Sequence, residues 1–130
     1  MMKHLKFLFL GCLMLLMNGV ALANSKTDWK EKDQFHTVMS QTFHPAEEGN
    51  LKPIRERSEE MLSKALAWQK SPIPTAFKKQ KDIQVQLDKL VKGTQSIRNK
   101  IQQGAKDEEI KADLTALHDI FHEIVGLCKE

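Results

Sequence analysis

The chain has 130 residues, 41% of them hydrophobic, with two cysteines, no tyrosine and a formal net charge of +3. That length suits one domain around one core, and no stretch past the amino-terminal segment approaches the ~20 apolar residues that a membrane span needs. Residues 1–23 hold two lysines and no acid, so the remainder sits near +1; with no basic patch interleaved with aromatics, a nucleic-acid partner is not expected.

The first segment reads as a secretory signal. Lys3 and Lys6 make a positive n-region, Phe7 to Met17 is almost wholly apolar, and Ala21-Leu22-Ala23 puts small residues at −3 and −1. Cleavage is expected after Ala23, leaving residues 24–130 as a single domain that is periplasmic or secreted. Cys12 after Gly11 raises a lipid anchor instead, but Phe9 and Leu10 fit that cleavage poorly and the apolar run continues beyond it. Once the signal is removed, Cys128 is the one cysteine left. It cannot form an internal disulfide and is read as a metal ligand, a bridge joining a homodimer, or a free thiol.

Four amphipathic helices follow. The first is expected over about Thr27 to Phe43, with Trp29, His36, Met39 and Phe43 on one stripe, and His44-Pro45 ending it. The second starts near Pro53 and carries Ile54, Ser58, Met61, Leu62, Ala65 and Trp68 at steps of three to four, until Ser71-Pro72-Ile73-Pro74 stops it. The third is expected from Thr75 to Gln103, with a seam of Ile83, Leu87, Leu90, Thr94, Ile97 and Ile101. Gly93 lies inside it at a cost of ~1 kcal/mol relative to alanine. Gly104 closes it. Asp107 then caps the fourth helix, whose stripe is Ile110, Leu114, Leu117, Phe121, Val125 and Cys128. Short connections between such helices favour antiparallel neighbours, so the expected fold is all-α, an up-down-up-down four-helix bundle.

The residues that carry chemistry lie in the first and last helices. His118 and His122 are four apart and therefore stand one turn above each other on one helix face, a spacing that lets two imidazoles reach one metal ion. Counted along adjacent antiparallel helices, His36 falls at a similar depth, so His36, His118 and His122 are expected to converge. Zinc, copper or nickel suits such ligands, and Cys128 or Met39 would tilt the choice toward softer ions. His44, with Glu47 and Glu48, is expected about 12 Å along the first helix from His36, reaching the site only if the loop folds back. Asp119 and Glu123 are candidate hydrogen-bond partners for the imidazoles. The plainer alternatives are half-buried histidines on a core flank, methionines that fill the core and a solvated acidic loop.

The piece Leu114-Thr115-Ala116-Leu117-His118-Asp119-Ile120-Phe121-His122 places a histidine after an aromatic near the end of a fourth helix. In an exported bundle of this size it resembles the cytochrome c′ and soluble b-type four-helix cytochromes. The resemblance implies the bundle fold, His122 in the place of the haem-ligating histidine, and Met39 or His36 as the other axial ligand. The chain departs from the pattern in lacking Cys-x-x-Cys-His, so covalent haem attachment is excluded and only haem b remains. The bulky Trp29, Phe43 and Phe121, and the extra histidine one turn from His122, suit a bare ion better than a haem.

Three functions are therefore expected to compete: binding or sensing of a transition metal, electron transfer by a b-type haem, and a cofactor-free helical interaction module. An enzyme is not expected. The sequence has no nucleophile–base arrangement, no glycine-rich phosphate loop and no carboxylate pair placed for acid–base work.

Overall fold

The computed structural model describes residues 27–130; the expected signal segment, residues 1–23, lies outside the described residues. Four helices follow in order: α1 (Lys30–Glu47), α2 (Lys52–Lys70), α3 (Gln80–Gln102) and α4 (Asp107–Leu127). Each helix packs on its neighbour in the sequence, and α1 also meets α4, so the four stand at the corners of a square with no close backbone approach across its diagonals. The fold is the expected antiparallel four-helix bundle, with no strand among the described residues. None of these helices is long and apolar enough to cross a membrane.

The core follows from the 3–4 spacing of apolar residues. On α2 the buried set is Ile54, Ser58, Met61, Leu62, Ala65 and Trp68, the stripe read from the sequence. On α3 it is Ile83, Leu87, Leu90, Val91, Thr94 and Ile97, with Ile101 packed at its edge. Each fully enclosed leucine, isoleucine or phenylalanine contributes about 1.5–3 kcal/mol. The two innermost hydroxyls return to their own helix: Thr42 donates to the Val38 carbonyl at 2.9 Å and Thr94 to the Leu90 carbonyl at 2.7 Å. Trp29, Phe35, Trp68 and Phe121 form an aromatic cluster, in which the indole N–H of Trp68 is buried with no hydrogen-bond partner.

Several sequence expectations are corrected here. The first helix does not stop at His44-Pro45 but runs on to Glu47 with Pro45 inside its last turn. Ala46 is buried, which anchors the extra turn, and the end is closed by a Schellman motif. There the Asn50 N–H donates to the Pro45 carbonyl at 2.9 Å and the Gly49 N–H to the Ala46 carbonyl at 3.0 Å, with Gly49 at φ +88°. Gly104 ends α3 in the same way, at φ +76°.

The third helix begins at Gln80 and not at Thr75. Phe77 turns inward and plugs the end of the core beside Trp29, while the Gln80 amide donates to the carbonyls of Pro74 and Phe77 and holds the turn shut. Asp107 makes no side-chain cap; its carboxylate instead accepts from Arg55, at 2.6 Å and 3.1 Å. On α4 the buried stripe ends at Ile124, leaving Val125 exposed and Cys128 half-buried.

Three sides of the square are tied by polar contacts as well as apolar ones. Trp29 donates to Ser71, Gln69 to Asp88, Arg98 to Glu59, and Lys100 to Asp113. The fourth side has Lys111 donating to the Glu47 carbonyl at 3.4 Å and is otherwise built of rings. The backbones of α1 and α4 come close over a shorter stretch than those of the other neighbours, and rings pack between them.

Candidate metal site

Phenylalanine and histidine occur as neighbours three times, at Phe35-His36, Phe43-His44 and Phe121-His122. Adjacent residues on a helix are turned by about 100°. The phenylalanine of each pair is buried, and the histidine therefore stands at the rim, exposed. All three pairs lie on α1 and α4, so the seam between these helices has a phenylalanine floor and an imidazole edge.

Two stacked contacts cross the seam. The His118 ring lies on Phe43 with centroids 3.9 Å apart and planes 14° from parallel. The His36 ring lies on Phe121, 5.0 Å away and within 2° of parallel. Contacts of this kind are worth about 0.5–1.5 kcal/mol beyond the area they bury. They also fix the register: Phe43, and not His36, stands opposite His118.

Within α4 the two histidines of the i, i+4 pair meet. Nε2 of His118 and Nε2 of His122 are 3.2 Å apart, one donating to the other according to tautomer, with the rings nearly perpendicular. A metal bonded to both nitrogens at ~2.0–2.1 Å, with the nitrogens kept 3.2 Å apart, would subtend an angle of about 100° between them, near the tetrahedral value. The separation is thus compatible with two ligands of one ion. His118 is half-buried and His122 exposed, so the nitrogens are reachable from solvent.

The surroundings favour the neutral form of His118. Burial against the seam pushes its pKa below the ordinary histidine value and His122 adds to this, while Asp119 and Glu47 oppose it and His44 adds a little more. A neutral imidazole is the form that ligates a metal.

The other expected ligands are not drawn to this point. Among the described residues, no group of three or more His, Cys, Asp or Glu side chains is placed to hold one ion. His36, expected on the buried stripe and beside His118 and His122, is exposed and lies against Phe121. The buried stripe of α1 is Phe35, Val38, Met39, Thr42, Phe43 and Ala46: it keeps the expected Met39 and Phe43, and Phe35 takes the inward place in which His36 was expected. Cys128 follows His122 by six residues, about 9 Å further along the axis; burial raises its thiol pKa, opposed by Lys32 at the start of α1. Met39 is fully enclosed, so ligation of a haem by Met39 and exposed His122 would require the aromatic layer to open; that pair of ligands as arranged does not fit the group. His44 is exposed at the last turn of α1, its ring 5.8 Å from Phe43 and its Nδ1 3.9 Å from the Glu47 carboxylate.

Sequence reasoning found the His118–His122 pair but missed the phenylalanines on which the imidazoles rest. The repeated Phe-His dipeptide was the available signal. Comparison with family models, with curated proteins and with solved structures returned no match for this chain.

Proposed function

We propose that this protein is an exported metal-binding bundle that holds a transition metal ion, zinc, copper or nickel, at His118 and His122, for binding or sensing. The observation that carries the reading is the 3.2 Å separation of the two Nε2 atoms on a solvent-reachable helix face. Three features support it: the neutral state favoured at His118, the stacking that holds its ring in place, and the secretory pattern of residues 1–23.

The test uses residues 24–130 freed of metal, titrated with zinc(II), copper(II) and nickel(II) beside a His118→Ala/His122→Ala variant. An ion that binds only the folded state, at 100 times its Kd, adds ~2.7 kcal/mol. For a domain of this size that raises Tm by roughly 10 °C. The shift should vanish in the variant. No shift with any of the three ions, or an equal shift in the variant, would refute the reading.

A further inference from the structure

A tetrahedral zinc ion takes four ligands, and one face of α4 offers it two. Among the described residues, no group of three or more His, Cys, Asp or Glu side chains could hold an ion within the chain. The His118–His122 pair is therefore half of a coordination sphere, and it stands at the surface with His122 exposed.

The surroundings of the pair leave room for a partner. The buried stripe of α4 is Ile110, Leu114, Leu117, Phe121 and Ile124, and the two histidines stand on the solvent side of it. Along the same line of the helix, Thr115 lies one turn before His118, and Val125 and Gly126 lie one turn after His122. All three are exposed and none is charged. A side-chain carbon placed on Gly126 would meet nothing within 4 Å. Two large apolar side chains are left open on the described surface, Val85 and Val125, and Val125 is the one beside the pair. Lys111, which falls on this line as well, is drawn aside to the Glu47 carbonyl. Asp119 and Glu123 each directly follow a histidine and so stand ~100° further round.

A second copy of the chain brings what one copy lacks. A two-fold axis presents the same patch twice, so the interface closes with two subunits and the ion receives four equivalent nitrogens. Each pair subtends about 100° at the ion for nitrogens 3.2 Å apart, and two such pairs with their planes crossed make a tetrahedron. The small side chains flanking the pair let two α4 helices come near each other, since the residues at a helix contact set the distance between axes.

We infer that one zinc ion joins two copies of this chain through His118 and His122 of each, so that ion binding becomes dimer formation. This rests on the metal-binding reading above and assigns the partner and the regulation of that same site. With all four positions taken by imidazole, none is left for water or substrate, as in sites that hold structure rather than carry out a reaction. Because two chains share one ion, the apparent zinc affinity rises with protein concentration.

The mature chain, residues 24–130, is freed of metal and titrated with zinc(II) in the presence of a reductant. Light scattering records the mass, and competition with a coloured chelator records affinity at several protein concentrations. Cys128→Ser, Gly126→Arg and the His118→Ala/His122→Ala pair are treated in the same way, with circular dichroism to confirm that each is folded. The expected result is one zinc per two chains, a doubled mass that a chelator reverses, and tighter apparent binding at higher protein concentration. Cys128→Ser should behave as the wild type. Gly126→Arg keeps both imidazoles and sets bulk and charge beside them, so its mass should stay that of one chain at zinc concentrations that double the wild type.

One zinc per chain with the mass unchanged would overturn the shared site and leave the two-histidine reading standing. Doubling that is undiminished in Gly126→Arg would place the interface elsewhere, and doubling lost in Cys128→Ser would give the bridge to the thiol; either overturns the inference. Zinc binding by the double variant as tight as by the wild type, or none by the wild type, would end both readings.

Discussion

Phe43→Leu separates a ring that merely fills space from one that positions a ligand. Phe43 is 6% exposed and carries the His118 imidazole at 3.9 Å. Leucine keeps the site apolar, so the packing change costs up to about 1.5 kcal/mol. Loss of the ring contact adds about 0.5–1.5 kcal/mol, for a total of roughly 0.5–3 kcal/mol, against the 3–5 kcal/mol of a full truncation to alanine. Two further changes follow only if the ring holds His118. Burial is the first cause of that histidine's lowered pKa, so water reaching the imidazole should raise the pKa toward its ordinary value. A ligand that must be immobilised on binding costs about 0.5–1.5 kcal/mol more, or roughly 2–10-fold in metal affinity. Urea unfolding, an NMR titration of the imidazole protons and a zinc titration read the three quantities. A loss of stability with the titration and zinc affinity unmoved would refute the positioning role and leave Phe43 a core residue.

Four other outcomes are expected. Because the folded-state pKa of His118 is lowered, the unfolded chain takes up its proton first; that contribution to stability is complete above the ordinary histidine range and is lost as pH falls through the lowered value. Urea midpoints between about pH 5 and 8 should fall toward acid, with a smaller slope in His118→Gln; a rise toward acid would contradict the linkage. Arg55→Ala removes the bonds to Asp107 and to the Ala105 carbonyl; since the ion pair is largely solvated, the cost should be about 1 kcal/mol in urea unfolding, most of it from the carbonyl bond. Gly49→Ala places a side chain at φ +88° and should cost about 1–2 kcal/mol by the same measurement. The Cys128 thiol, with its pKa raised by burial, should react with iodoacetamide at neutral pH more slowly than a free thiol and recover the ordinary rate in denaturant.

What the sequence reveals about this molecule is uneven. The stripes of α2 and α3 are legible because a single apolar periodicity admits only one face. On α1 two faces compete: Met39 and Phe43 belong to both, and His36 fits one while Phe35 fits the other. Adjacent positions differ by only ~100°, so a wrong choice turns a rim histidine inward. The end of α1 defeats local rules, since the bias of a pre-proline residue is outweighed by burial of Ala46 and by the Schellman bonds beyond it. The His118–His122 pair is readable because both members share one helix. Which residue of α1 faces it depends on the register between two helices, and no periodicity within either helix carries that information.

The ring-filled seam has a consequence for how the bundle is assembled. The contacts of α1 with α2, α2 with α3 and α3 with α4 each form after closure of a short connection, whereas α1 meets α4 only after a loop containing two whole helices has closed. Closure entropy rises slowly with length, but it must be met before the seam returns any contact. The side with the least close backbone approach is also the one whose partners lie furthest apart in the chain. It should be the last joint to form and the first to part, so hydrogen exchange of paired amides should reach α1 and α4 before α2 and α3. The imidazoles stand at that joint, where one small local bond bears on the cohesion of the whole bundle.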